Sequence, residues 1–86
     1  MASPAENFIL DLGALVKEAA LSAAASAGGA GANEFETGRA MAWYEAASLL
    51  QQQAAAFGLS PSQVGLDGFD AERDLLTKLG ASRGAV

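Results

Sequence analysis

Residues 34–57 have the sequence EFETGRAMAWYEAASLLQQQAAAF, and this stretch carries the helical pattern on which the predicted fold depends. Its apolar residues recur at alternating steps of three and four, the heptad spacing of a helix that packs along one seam. The seam consists of Ala40, Trp43, Ala47, Leu50, Ala54 and Phe57, widened on one flank by Ala42, Ala46 and Leu49. Small residues in a seam let a second helix approach closely. The pattern therefore predicts a helix over 34–57 that needs a helical partner.

Short signals mark both ends of this helix. Asn33 can cap it, with Glu36 at the capping-box position. Gly58 is a typical helix stop, and Pro61 follows just beyond it. Gly38 lies inside the helix and costs about 1 kcal/mol of helix propensity relative to alanine. We therefore expect a packing reason for Gly38.

A first helix is predicted over 4–27. It begins at Ser3-Pro4-Ala5-Glu6, which combines a capping box with proline at the first helical position, and it ends at Gly28-Gly29 in the left-handed conformation that glycine tolerates. A broad apolar stripe of period 3.6 follows it, consisting of Ala5, Phe8, Ile9, Leu12, Leu15, Val16, Ala19, Ala20, Ala23 and Ala27. A minor apolar strip of Leu10, Ala14 and Leu21, with Lys17 between them, indicates a second neighbour, which we expect from another chain.

The glycine-rich linker 28–32 joins the two helices into an antiparallel hairpin. A phosphate-binding loop would need a preceding strand and usually a following Lys-Ser or Lys-Thr, so the linker is interpreted as a hinge. Pairing of the helices within one chain and a domain swap through this linker are both open.

The remaining chain is predicted to form two short elements. Ser60-Pro61 starts a helical turn over 61–64, with Val64 and Leu66 turned inward. Asp70 caps a last helix over 71–79 that folds back across the open end of the hairpin, and residues 81–86 form a frayed tail.

These elements predict an all-α fold: one helical domain over 1–86, built as a long antiparallel hairpin with a short C-terminal helix. Of the 86 residues, 21 are alanine, so few large side chains remain for a core. A hairpin also leaves one side of each apolar stripe exposed. Association into a homodimeric four-helix bundle is the standard way to cover it.

Composition excludes several classes of function. The chain has no cysteine and no histidine, which removes disulfides, thiolate chemistry, hydrolytic triads and the commonest zinc sites. The formal charge of −5, with five scattered basic residues, argues against nucleic acid. Polar residues interrupt the longest uncharged stretch, 46–66, and the N-terminus has no basic targeting region, so we expect a cytoplasmic protein with no membrane contact.

No residue is predicted to be catalytic or to bind a cofactor or metal. An EF-hand loop starting at Asp67 would need ligands where Phe69 and Ala71 stand, so the acids near it are interpreted as a helix cap and first turn. Arg39 can pair with Glu36 or reach across an interface. The candidate interface residues are Leu10, Leu21, Arg39, Trp43, Tyr44 and Leu50.

The run Gly38-Arg39-Ala40-Met41-Ala42-Trp43-Tyr44-Glu45, followed by Gln53-Ala54 and Phe57-Gly58, resembles small uncharacterised bacterial helical proteins. The resemblance covers about a quarter of the chain. It implies a bacterial setting and no particular activity.

Three hypotheses follow for function. The first is a self-associating structural or scaffold protein whose partner is a second copy. The second is an acidic binding module, such as an adaptor or an immunity- or antitoxin-like protein, that covers a larger partner. The third, catalysis through carboxylates or a bound metal, has the least support, because no second titrating partner lies near Glu45 in sequence.

Overall fold

The first long helix, α1, is Pro4–Ala27 in the computed structural model, which describes residues 3–29 and 31–76. It begins with the predicted capping box: the Glu6 backbone N–H donates to Ser3 Oγ at 3.1 Å, and the Ser3 backbone N–H donates to Glu6 Oε1 at 2.9 Å. The bond from the Ser3 backbone, and next that from its hydroxyl, lower the pKa of Glu6. The helix ends at Gly28 with a right-handed φ of −86°, so the left-handed end expected there is not adopted.

The second long helix, α2, is Glu34–Ala56, one residue shorter than predicted. Asn33 Oδ1 accepts a hydrogen bond from the Glu36 backbone N–H at 2.9 Å, which is the predicted cap. The reciprocal half of the capping box, from the Glu36 side chain, is not formed. Beyond the helix, Gly58 has a φ of +73°, and this left-handed turn directs the chain back toward the hairpin.

Alanines form the contact between α1 and α2, and the predicted helical hairpin is confirmed. The buried alanines are Ala20, Ala23, Ala24 and Ala27 on α1, and Ala40, Ala47 and Ala54 on α2. Those near the linker form a small cluster, Ala23 and Ala27 with Ala40, and Trp43 packs against it. Because each alanine buries only a methyl group, this contact brings the helices close together but adds little buried apolar area.

Residues 58–76, called here the C-terminal segment, supply the large buried side chains. They contribute Val64, Leu66, Phe69 and Leu75 to the main core cluster. The segment contains a 3₁₀ turn, Pro61–Val64, and a π-helical turn, Glu72–Leu76. Val64 and Leu66 are turned inward, as the sequence predicts. The predicted short C-terminal helix is confirmed where the chain is described, and Glu72–Leu76 has π-helical geometry. Residues 77–79 of this helix and the tail 81–86 lie outside the described ranges.

The C-terminal segment runs along one side of the hairpin, not across its open end as predicted. Glycine makes this possible: a Cβ at Gly13 would overlap the Val64 carbonyl, and a Cβ at Gly65 would overlap the Leu10 carbonyl. Gly65 also has a φ of +77°, a conformation that other residues rarely adopt. Further along α1, Lys17 Nζ donates to the Asp67 carbonyl at 3.0 Å.

Polar bonds tie the end of this segment to α2. Gln51 Nε2 donates to Asp70 Oδ1, and Gln51 Oε1 accepts from the Ala71 backbone N–H, both at 2.9 Å. Asp70 Oδ2 also accepts from the Arg73 backbone N–H at 2.9 Å, which is the cap predicted for Asp70. The bond from Arg73, and next that from Gln51, lower the pKa of Asp70. One side of the hairpin is therefore covered by the chain itself, and we call it the covered side.

Candidate interaction surface

The side of the hairpin opposite the C-terminal segment, called here the open side, exposes large apolar side chains. On α1, Phe8 is 63% exposed and Leu15 is 60% exposed. On α2, Leu49 is 66% exposed, and just past its end Phe57 is 72% exposed. Leu12 is exposed between the two α1 residues. Such a concentration of exposed apolar side chains marks a candidate interaction surface.

Helical spacing places these residues on one surface. Phe8, Leu12 and Leu15 are four and three residues apart, so they form one stripe of α1. The matching stripe of α2 passes through Ala42, Ala46 and Leu49. A hollow of about 500 Å³ lies where the helices meet on this side; its walls are Leu12, Leu15, Val16, Glu18, Ala19, Ser22 and Trp43. Trp43 therefore connects the two stripes.

Charges are few on the open side. Arg39 is one turn before Trp43 on α2 and is half-buried. It does not pair with Glu36: in the described ranges, the ion pair joins Arg73 and Asp74 at 2.8 Å. The exposed acids Asp11 and Glu18 lie beside the α1 stripe. All buried side chains in the described ranges are apolar, so the electrostatics of this protein are those of its surface.

Three of the six candidate interface residues belong to the covered side. The Leu10 carbonyl lies at the Gly65 contact, and Leu21 is one turn after Lys17, which bonds to the C-terminal segment. Tyr44 is two turns before Gln51 on the same line of α2, and it packs against the main core cluster. The second neighbour expected for the minor strip of α1 is thus a segment of the same chain, not another chain.

The other three candidates border the open side. Trp43 and Leu50 are half-buried and pack against the main core cluster, and Arg39 is near Trp43. The six residues that were predicted as one interface therefore lie in two groups on opposite sides of the hairpin.

Most of the large apolar residues on the open side were predicted to lie in the interior. Phe8, Leu12 and Leu15 belonged to the main stripe of α1, and Phe57 ended the seam of α2; all four are exposed. Gly13, which is buried at the closest contact of the fold, was not predicted at all. A glycine inside an otherwise apolar helix was the available signal, since it costs propensity and so indicates close backbone approach.

Comparison with protein-family models, with curated proteins and with solved structures gives no match. Across residues 3–29 and 31–76, no three Asp or Glu side chains gather into a group that could hold a metal ion. No helix in that part of the chain has the length and apolar character required to cross a membrane.

Proposed function

We propose that this chain is a non-catalytic structural or scaffold protein that self-associates through its open side. Two hairpins placed face to face would form a four-helix bundle, in which the exposed stripe of each copy covers that of the other. The observation that carries the proposal is the one-sided covering of the hairpin: the C-terminal segment packs on one side, while Phe8, Leu15, Leu49 and Phe57 are exposed on the other.

The exposed area supports a second copy as the partner. From their exposed fractions, Phe8, Leu12, Leu15, Leu49 and Phe57 present on the order of 600 Å² of apolar surface. This area is at the upper end of the range of about 300–600 Å² that the largest apolar patch on a typical monomer covers. Two such faces would together bury about 1,200 Å², which exceeds the roughly 1,000 Å² expected of a specific interface.

The proposal assigns no catalytic, cofactor-binding or metal-binding residues. The lack of histidine and cysteine supports this part of the proposal. A bacterial, cytoplasmic setting is part of the same proposal, supported by the sequence resemblance and by the absence of cysteine.

An acidic binding module is the second candidate, and the charge of the chain favours it. Each chain carries −5, so self-association brings two acidic molecules together, whereas a basic partner protein would be attracted. Asp11 and Glu18, beside the α1 stripe, are the acids such a partner would meet first.

Light scattering behind size exclusion, across a concentration series, tests the first proposal. The expected mass for the unaltered protein is that of two chains. Leu15→Ser combined with Leu49→Ser should give the mass of one chain, because both exposed leucines lie on the open side. Leu59→Ser is the matched control, since Leu59 is also exposed but belongs to the C-terminal segment. An unaltered protein that stays monomeric at tens of micromolar would overturn self-association and leave the binding module.

A further inference from the structure

The open side has a gradient of side-chain size along α1. Its exposed stripe begins with Phe8, Leu12 and Leu15 in the half nearest the open end of the hairpin. The same stripe continues toward the linker with Ala19, Ser22 and Ser26. One half of the helix is therefore bulky and the other half is nearly flat.

The same gradient is present on α2. Leu49 and Phe57 are bulky and lie toward the open end. Toward the linker the stripe contains Gly38, Ala42 and Ala46, and a Cβ at Gly38 would meet nothing within 4 Å. No contact within the described chain therefore requires glycine at position 38, and the packing reason expected for it is not found there. Two larger side chains interrupt the gradient in the linker half of α2: Phe35, 75% exposed at the start of the helix, and the half-buried Arg39 one turn later.

Because the helices are antiparallel, the two bulky halves lie side by side at the open end. The small side chains of the flat halves, Ser22 and Ser26 on α1 with Ala42 and Ala46 on α2, lie side by side toward the linker. The hollow beside Trp43 reaches into the flat half at Ala19 and Ser22. It provides room for a large side chain that the chain itself does not supply.

Resting on the proposed self-association, we propose that the second copy packs antiparallel to the first, with the bulky half of each open side on the flat half of the other. Protein interfaces pack at the density of interiors, which requires large side chains to face small ones. A parallel copy would place Phe8 and Phe57 against the bulky half of its partner and leave a gap between the flat halves. The antiparallel arrangement fills both halves equally.

Distances between spin labels distinguish the two orientations. Because the chain has no cysteine, an introduced cysteine is labelled at that position alone. Asn7 and Ala25 are both exposed, lie eighteen residues apart on the same line of α1, and are outside the stripe. The variants are Asn7→Cys and Ala25→Cys, each measured by pulsed electron paramagnetic resonance in the full chain.

In an antiparallel dimer centred between residues 17 and 19, two labels at position 7 lie about 30–36 Å apart along the bundle axis, at 1.5 Å per residue. A mixture of the two variants brings label 7 of one copy within about 10 Å, along the axis, of label 25 of the other. In a parallel dimer the order reverses, with the 7–7 axial separation near zero and the 7–25 axial separation about 27 Å.

A 7–7 distance longer than the 7–25 distance supports the proposal. The reverse order overturns the antiparallel arrangement while leaving self-association intact. A monomer mass with no intermolecular dipolar signal overturns self-association itself, so the two failures are distinguishable. Light scattering on the labelled variants verifies that each retains the mass of the unaltered protein.

Discussion

The two sides of the hairpin differ in what covers them, although both present apolar side chains. On the covered side, Gly13 lets the backbone at Gly65 come close, and Val64 and Leu66 follow it into the core. On the open side, α1 presents Phe8 and Leu15, and their bulk keeps a neighbouring backbone at a distance. Close backbone approach, not apolar content, therefore selected the side that this chain buries by itself.

Gly13 is expected to have the strongest effect on stability, and Gly38, the other glycine inside a long helix, is its comparison. Gly13→Ala should lower the free energy of unfolding by about 3 kcal/mol, the upper end of overpacking effects, because the new Cβ overlaps the Val64 carbonyl. Within a single chain, Gly38→Ala should raise it by up to about 1 kcal/mol, because no atom of the described chain lies within 4 Å of the added Cβ and alanine favours helix. Urea unfolding at a protein concentration where light scattering gives the mass of one chain measures both without a contribution from self-association. A stabilising Gly13→Ala would refute the close contact on the covered side.

A smaller effect on the free energy of unfolding is expected at Gln51 of α2, and a second glutamine of the same helix serves as its control. Gln51→Ala should lower the free energy of unfolding by about 1–2 kcal/mol, because two hydrogen bonds to the C-terminal segment are lost. Gln52→Ala, whose exposed side chain donates to Ser48 Oγ one turn earlier, should change it by less than about 0.5 kcal/mol.

Hydrogen exchange adds a local measurement to the glutamine pair. The Ala71 amide, which donates to Gln51 Oε1, should lose protection in Gln51→Ala and keep it in Gln52→Ala. Equal protection of this amide in both variants would show that the C-terminal segment is held without Gln51.

The smallest expected effect is a pH dependence at Asp70. The Arg73 backbone N–H and the Gln51 side chain favour its carboxylate, so its pKa is lower in the folded than in the unfolded chain. Its contribution to stability is therefore present above the unfolded-state pKa and is lost as pH falls through the folded-state pKa. Unfolding measured from about pH 6 downward should show a shallower loss of stability in Asp70→Asn than in the unaltered protein.

Asp11→Asn is the matched control for this pH series, because Asp11 is an exposed aspartate beside the open side. It should leave the pH dependence at Asp70 unchanged. If both variants follow the unaltered curve, the bonds at Asp70 do not contribute to acid stability.

Helix ends were well predicted from sequence, because caps are local. Ser3, Asn33 and Asp70 each accept the backbone hydrogen bond that their positions suggest. The bounds of α1 coincide with the predicted 4–27, and those of α2 differ by one residue. The last element was less predictable, since its π-helical turn forms where the chain packs against α2.

The distribution of apolar residues between interior and surface was predicted less well. The seam of α2 is buried at its alanines, but Phe57 is exposed, and Phe8, Leu12 and Leu15 of the main α1 stripe are exposed as well. A helical pattern shows which residues share a face, but a wide apolar face gives no indication of which part of it a neighbour covers.

The positions where the two long helices begin and end, their pairing as a hairpin and the alanine seam all follow from the sequence. Each of these properties depends on residues a few positions apart, through caps, propensity and periodicity. Which side of the hairpin is covered follows from tertiary contacts. That choice depends on contacts between Gly13 and Gly65, and between Gln51 and Asp70, which are far apart in the chain and meet only after the left-handed turn at Gly58.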